Sequence, residues 1–417
     1  MIKRTLFDEL KSHLTNKQFS LIAGPRQAGK TTLMLLLRDY LEKKGVKSIL
    51  LNLDIETDRA FFSSQEKLLS KIRLELGTEN GFVFIDEIQR KENAGLFLKG
   101  IYDMGLPYKF IISGSGSIEL KEKIHESLAG RKRLFELSTV SFREFVDFRT
   151  NYNYSDRMSE FYNIETQKTH SLLDEYLHFG GYPRVITAET VEEKRKEMDE
   201  IYRSYIEKDI SVLLKIQKTE KISELVRLMA SQIGRLVNYY EISNTLNIAA
   251  ETLKKYLWYL EKTFIVNRIN PFFKNVRKEI TKAPIYYFHD IGLKNYSSGA
   301  FTATADLLDK GFLFQNFIYN ILRAIYPHGM ISIKFWRTLD KAEVDFILSS
   351  GDNHVPIEVK YKSMRSPEVN RSFRSFIKKY NPGKAIIVNL DYKDYVNIEN
   401  TEVLFLPYYE MKNNVVF

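Results

Sequence analysis

Two glycines, a lysine and a hydroxyl stand close together in Gly24-Pro25-Arg26-Gln27-Ala28-Gly29-Lys30-Thr31, at the spacing G-x-x-x-x-G-K-[ST]. Such glycines let a backbone curl until its N–H groups point at one oxyanion, and a helix opening behind them adds the positive end of its dipole. The lysine then reaches the β- and γ-phosphates of a nucleoside triphosphate, and the hydroxyl joins the shell of a magnesium ion. The expected binding set is Gly24, Pro25, Arg26, Gln27, Ala28, Gly29, Lys30, Thr31 and Thr32, with ATP and Mg²⁺ as ligands. A glycine turn that binds nothing is the bland alternative. The apolar run before the motif (Gln18 to Ala23) and the apolar helical stretch after it (Thr32 to Leu41) favour the phosphate.

A second group of residues could handle water. Phe82-Val83-Phe84-Ile85 reads as a buried strand, and Asp86 and Glu87 emerge at its carboxyl end, where ligands bind in open α/β sheets. Asp86 is expected to hold the magnesium shell through water, and Glu87 to polarise the attacking water. A further strand, Phe110-Ile111-Ile112, runs into Ser113-Gly114-Ser115-Gly116-Ser117. Ser115 is the favoured contact for the γ-phosphate or the water, with an ordinary Gly-Ser turn as the alternative.

The elements that must position these residues follow a βαβ rhythm. Gln18 to Ala23, Ser48 to Leu53, Phe82 to Ile85 and Phe110 to Ile112 are short apolar runs separated by helical stretches, which predicts a parallel sheet covered by helices. From Ser141 to about Ile216 the helical stretches Ser171 to Phe179 and Val191 to Ile210 are broken by Gly180-Gly181-Tyr182-Pro183, predicting a helical lid. Residues 219 to 270 read as three helices and an extended segment, with Glu241 to Leu246, the turn Asn247-Ile248 and Ala250 to Leu260 in helix-turn-helix order. Beyond Pro271 the chain is β-rich again, at Ile285 to Phe288, Ile331 to Trp336, Val344 to Leu348, Val355 to Lys360 and Ala385 to Asn389. The expected domains are an ATPase core at 1–140, the lid at 141–218, a winged helix at 219–275 and an α/β tail at 276–417.

Composition sets outer bounds. The 417 residues are 44% hydrophobic, enough for several packed cores, and the absence of cysteine removes disulfides, thiolate zinc sites and cysteine nucleophiles. No segment approaches the run of about 18 apolar residues that a bilayer span needs, so a soluble cytoplasmic protein with no membrane partner is expected. The net charge of +9 is compatible with a polyanion but spread along the chain.

Two further stretches bear on a macromolecular partner. In Ala250 to Glu261, Leu253, Leu257 and Leu260 have core spacing, while Lys254, Lys255 and Tyr256 are expected outside, where they could meet DNA phosphates. Glu251 and Glu261 flank them, so a rigid connector is the alternative. In the tail, Glu343-Val344-Asp345-Phe346-Ile347 and Pro356-Ile357-Glu358-Val359-Lys360 read as a hairpin turning at Gly351-Asp352, which sets Asp345 opposite Glu358 and Glu343 opposite Lys360. Asp345, Glu358 and Lys360 then converge in a D…ExK layout, in which carboxylates hold a divalent cation and the lysine positions a water beside a scissile phosphate. An ordinary cross-strand ion pair is the alternative.

These residues together resemble the prokaryotic AAA-type ATPases, often called archaeal-type ATPases, that carry a C-terminal DUF4143 domain. The resemblance spans nearly the whole chain, through Arg4, Gly24 to Thr32, Phe84-Ile85-Asp86-Glu87-Ile88-Gln89, Gly114-Ser115, Ala129-Gly130-Arg131, Ser141-Phe142-Arg143-Glu144-Phe145, Gly180-Gly181-Tyr182-Pro183 and Tyr287-Phe288-His289-Asp290-Ile291-Gly292-Leu293. It implies that Arg131, with Arg133 in reserve, senses or stabilises the γ-phosphate, within one chain or across two; a solvated basic surface is the alternative. The tail resembles the PD-(D/E)xK nuclease fold, whose pattern has a glutamate on the preceding helix where this chain has Gln315. The implied fold class is α/β: a P-loop NTPase parallel sheet, helical lid, winged helix and restriction-endonuclease-like α/β domain. The expected function is Mg²⁺-dependent ATP hydrolysis coupled to a macromolecular partner, with DNA a candidate and oligomerisation left open. The rivals are an ATP-gated binding module with slow or no turnover, and a DNA nuclease regulated by the ATPase.

Overall fold

A computed structural model describes residues 1–115, 126–210, 220–273, 279, 282–301, 310–327 and 331–414. The chain divides into two compact units: Met1–Arg149 with Gly181–Thr219 and Tyr256–Ile265, and Thr150–Gly180 with Glu220–Lys255 and Val266–Phe417.

The first unit is built on five parallel strands, β1 (Phe19–Gly24), β2 (Ser48–Asn52), β3 (Gly81–Asp86), β4 (Tyr108–Ser115) and β5 (Lys132–Glu136), in the order β2-β3-β4-β1-β5. Alternation along the strands feeds two cores, as a doubly covered sheet requires. Leu21, Val83, Ile85 and Ile112 pack on one face with Leu68, Ile72 and Leu98. Ile22, Phe84 and Ile111 pack on the other with Leu33, Met34 and Leu37 of α1 (Lys30–Glu42). Four of these strands were legible as apolar runs; β5 was not. It is an edge strand of sequence Lys-Arg-Leu-Phe-Glu in which only Phe135 is buried, so it lacks the run that marks a central strand.

Near the start of β1 lies a buried polar group. His13 Nδ1 is 2.8 Å from Ser20 Oγ and 3.2 Å from Lys109 Nζ, and Lys109 also donates to the Asn16 carbonyl at 2.8 Å. Burial, then the charges of Lys109 and Arg133, push the His13 imidazole down from 6.5 to about 4. The unfolded chain therefore takes up this proton first, and the stability His13 confers is present above pH 6.5 and lost as pH falls to about 4. The unfolding midpoint is expected to drop through that window, and the drop to shrink in His13→Phe, read by thermal denaturation at a series of pH values.

The second unit contains a six-stranded mixed sheet of β8 (Ser332–Arg337), β9 (Glu343–Ser350), β10 (Asn353–Val359), β11 (Lys384–Asn389), β12 (Asp394–Ile398) and β13 (Thr401–Pro407), in the order β12-β13-β11-β10-β9-β8. The β9–β10 pairs run from Asn353↔Ser350 to Ile357↔Phe346, so the next step sets Asp345 opposite Glu358, as the hairpin reading expected. Helix α3 (Lys310–Ile325) precedes this sheet, and α4 (Arg371–Tyr380) connects β10 to β11 as a parallel crossover.

Helices Glu220–Ser231, Tyr239–Leu246 and α2 (Ala250–Lys262) come in winged-helix order before an antiparallel pair, β6 (Val266–Ile269) and β7 (Ile285–Phe288). Because β7 pairs with β6, this pair crosses the expected boundary at 275/276. Nor is the expected lid at 141–218 one body. Its part from Thr150 to Gly180 falls in the second unit, where Tyr361 donates to Asp174 at 2.7 Å and Tyr162 packs on Tyr409 at 4.9 Å. The part after Gly181 stays in the first unit, where Val140 N–H bonds the Gly181 carbonyl at 2.7 Å and Arg149 bonds the Ile186 carbonyl at 3.1 Å. Helical periodicity identifies such helices but not the core that receives their apolar faces. Among the described residues no helix is long and apolar enough to cross a membrane.

Candidate functional site

The first unit's site lies at the carboxyl ends of β1, β3 and β4. Gly24 ends β1 where a Cβ would come within 2.0 Å of the Leu137 carbonyl oxygen, so no larger residue fits without moving backbone. Gly29, the cap of α1, has φ +96°, a conformation that L side chains rarely adopt. Between them Pro25, Arg26, Gln27 and Ala28 form the loop, and Thr31 and Thr32 stand exposed in the first turn of α1. Lys30 is buried, and its ammonium donates across the loop to the carbonyls of Gly24 at 3.1 Å and Pro25 at 2.7 Å.

Asp86, 1% exposed, faces this loop. Thr31 donates its hydroxyl to Asp86 Oδ2 at 2.7 Å, the Glu87 N–H donates to Oδ1 at 3.0 Å, and the Ser113 hydroxyl also donates to Oδ1. A carboxylate beside a hydroxyl at a helix N-terminus is the hard-oxygen donor set that suits Mg²⁺. The residues thus fit the cation that the motif implies.

Glu87 follows the strand at φ +56°, a left-handed conformation that costs a non-glycine residue of order 1 kcal/mol and collects at functional positions. Its carboxyl is pushed above the ordinary glutamate range by burial first and by Asp86 second, with Lys30 and a hydrogen bond from Gln89 opposing. Gln89 Nε2 donates to Glu87 Oε2.

Sequence reasoning gave no role to three residues, Ser113, Gln89 and Arg4, that make contacts in this region. Ser113 grips Asp86; Ser115, expected to contact the γ-phosphate or the attacking water, pairs with Gly24 through its backbone, and its side chain lies outside the described residues. The period of two that puts residues 113 and 115 on one side of β4 was the available signal. Gln89 was quoted in a motif without a role. Arg4 was treated likewise, yet it donates to the Ala28 carbonyl in the loop at 2.9 Å, to the Ser138 and Thr139 carbonyls at 2.7 and 3.2 Å, and to Glu144 at 3.2 Å.

Arg131 is not brought to the phosphate loop of its own chain. Its carbonyl accepts from Phe19 N–H at the start of β1, about 16 Å of strand away from Gly24. The guanidinium pairs with Asp103 at 2.8 Å. Arg133 lies opposite Ser20 with its guanidinium over the Phe135 ring at 5.5 Å. The expectation of an in-chain γ-phosphate contact is corrected accordingly: a parallel β5 starts at the end of the sheet opposite the loop. Arg131→Ala is expected to leave ATP turnover of a dilute sample and its unfolding midpoint unchanged. A loss of turnover that grows with protein concentration would place Arg131 at a neighbouring chain's nucleotide.

The D…ExK residues do converge in the second unit, as a hydrogen-bonded network. Asp345 Oδ1 accepts from Gln315 of α3, and Oδ2 accepts from the Val359 N–H at 2.7 Å. Glu358 Oε1 accepts from Lys360 and from Asn370, each at 2.6 Å. Burial, then the charge of Glu358, hold Asp345 well above the usual carboxylate range. Of the four carboxylate oxygens only Glu358 Oε2 is left without a partner, and the helix offers the neutral Gln315. Among the described residues no group of three His, Asp or Glu side chains is placed to hold a metal ion. N–H donors thus engage three of the four carboxylate oxygens of the expected Asp345–Glu358 metal pair. On α2, Lys254 and Lys255 are exposed as expected, but Tyr256 is buried, which removes it from any outward DNA-contacting face.

Comparison with known families gives three matches. The family described as AAA domain matches residues 16–146, Domain of unknown function (DUF8612) matches 170–304, and Domain of unknown function (DUF4143) matches 310–409. Residues 16–146 are thus similar to an AAA domain and residues 310–409 to a DUF4143 domain. An uncharacterized protein of Mycobacterium tuberculosis is 26% identical over 378 residues, covering 89% of this chain and 76% of that protein. An uncharacterized protein of Haemophilus influenzae is 24% identical over 398 residues, covering 92% of each. Among solved structures, the Aeropyrum pernix Orc1 protein in complex with DNA covers 70% of this chain and 91% of its own at 14% identity and a TM-score of 0.30. AMPPCP-bound DnaA from Aquifex aeolicus covers 63% and 90% at 15% identity and a TM-score of 0.29. At those TM-scores the likeness is too loose to bear on function.

Proposed function

We infer that this AAA–DUF4143 chain is a Mg²⁺-dependent ATPase that couples nucleotide turnover to a macromolecular partner, with duplex DNA the candidate. The observation that carries this reading is the hydrogen bond from Thr31, the hydroxyl closing the phosphate loop, to Asp86, with Glu87 next to it.

Loop N–H groups from Gly24 to Thr32 would cradle the β-phosphate, and Lys30 would exchange the Gly24 and Pro25 carbonyls for β- and γ-phosphate oxygens. Thr31 and Asp86 would hold Mg²⁺, which supplies neutralisation of charge on the phosphates. Glu87 would accept a proton from the attacking water as its oxygen bonds the γ-phosphorus and the bond to the β–γ bridging oxygen breaks, leaving ADP and phosphate. A glutamate pushed above its ordinary range is a stronger base than a free one, and its N–H contact to Asp86 keeps it beside the cation site.

The experiment is ATP turnover by wild type, Lys30→Ala and Glu87→Gln. Equal rates in all three would sink the proposal, and tight ATP binding by a wild type with no turnover would favour the nucleotide-gated binding module instead. The nuclease reading is not carried forward, given the network around Asp345.

A further inference from the structure

The second unit carries a charged surface that the ATPase reading does not use. Helix α4 buries Phe373, Phe376 and Ile377 against Trp336, Val344, Ile347 and Ala385 of the mixed sheet. Its opposite face exposes Arg371, Arg374, Ser375 and Lys378 at i, i+3, i+4 and i+7, with Lys379 alongside. From Val369 to Leu390 the chain has the five cations Arg371, Arg374, Lys378, Lys379 and Lys384 and no acidic residue. Among the described residues Arg371, Arg374 and Lys378 make no ion pair; Arg374 Nε donates to the Val369 carbonyl at 3.2 Å, which leaves its outer nitrogens for another acceptor. Asn370 fixes the start of the helix by accepting from Phe373 N–H at 2.7 Å while its amide donates to Glu358.

We propose that this face of α4 docks on the phosphate backbone of duplex DNA without reading its sequence. Uncompensated like charges on a rigid helix destabilise the free protein unless a polyanion takes them up. Arg371 to Lys378 spans about 10 Å of helix axis, the reach of several phosphates along one strand. An anionic membrane fits less well, because a helix that binds a bilayer presents an apolar face to it and the apolar face of α4 is spent on the sheet. A single strand needs exposed aromatic platforms, and Tyr380 is instead packed on Phe376 at 4.5 Å. Double-stranded RNA is told apart through 2′-hydroxyl contacts across its minor groove, for which the stripe offers only Ser375 besides its cations. The inference rests on the part of the proposed function that makes DNA the partner and is independent of ATP turnover.

The test uses the full chain and a duplex of about 30 base pairs and arbitrary sequence, with affinity measured by anisotropy over a range of salt concentrations. Arg371→Gln/Arg374→Gln/Lys378→Gln is expected to weaken binding by about tenfold or more and to lower the slope of log K against log salt by about two to three. ATP turnover and the unfolding midpoint should not change, and Arg371→Lys/Arg374→Lys should retain the slope. Single Arg371→Gln and Lys378→Gln variants, each lowering the slope by about one, serve if the triple variant fails to fold. An unchanged slope in the glutamine variants overturns the proposal. So does removal of all salt dependence by Lys254→Gln/Lys255→Gln alone, or tighter binding of the wild type to phosphatidylserine vesicles or duplex RNA than to duplex DNA. Absence of ATP turnover in the wild type, with intact DNA binding, would sink the ATPase reading and leave this one standing.

Discussion

Glu87→Gln is expected to lower ATP turnover by about 10²–10⁴-fold while leaving ATP affinity close to that of the wild type. The substitution keeps shape and hydrogen-bonding reach but removes the carboxylate proposed to take the proton from water. Thr31, Asp86 and Ser113 still form their contacts, so the loop and its cation site should bind as before. Lys30→Ala should behave differently, losing affinity as well as rate, because its ammonium is the cation that faces the phosphates. The pH profile gives an independent reading. Since burial and Asp86 push the Glu87 carboxyl above 4.5 in the free protein, the acid limb of kcat/KM should lie above that value, and it should disappear in the residual activity of Glu87→Gln. A variant with wild-type turnover, or an acid limb that persists unaltered, would remove Glu87 from the chemistry.

The second large effect concerns stability. Glu144→Ala is expected to destabilise the first unit by about 3–5 kcal/mol, measured by urea unfolding. The Glu144 carboxylate accepts from Arg4 Nε at 3.2 Å, Thr5 N–H at 2.7 Å, the Thr5 hydroxyl at 3.0 Å and Ser141 N–H at 2.8 Å. Arg4 and Glu144 side chains are only 8% and 5% exposed, so removal of the carboxylate leaves a buried guanidinium with no counter-charge. Arg4→Met/Glu144→Gln should recover part of the loss, because no charge is then stranded and the glutamine oxygen still accepts from Thr5. Arg4 also holds the Ala28 carbonyl, so Arg4→Met alone should raise the KM for ATP as well as lower stability. Equal stability of wild type and Glu144→Ala would show the pair to be incidental.

How much of this was legible beforehand differs from residue to residue. Residues 24–32 read clearly because a phosphate loop is local: glycine geometry, lysine and hydroxyl lie within one turn and one strand end. Asp86 and Glu87 read nearly as well, since a buried strand announces its own carboxyl end. Ser113, Gln89 and Arg4 did not, because a serine in a strand, a glutamine in a short turn and an arginine near residue 1 have no local pattern that names a partner 27, 2 or 140 positions away. Arg131 misled for a related reason: a motif gives position along the chain, whereas reach to the γ-phosphate depends on which end of a parallel strand the residue occupies.

By itself the sequence determined the phosphate loop, the carboxylates at the carboxyl end of β3, the α/β class and the β9–β10 register, since each depends on short-range periodicity and backbone geometry. Only the tertiary structure decided that Ser113 grips Asp86, that the helices on either side of Gly180 and Gly181 belong to different units, and that Asp345 is held by N–H donors. Those outcomes turn on which distant elements pack together, and burial sets both the partners and the protonation of a carboxyl group in ways that residue type and spacing do not encode.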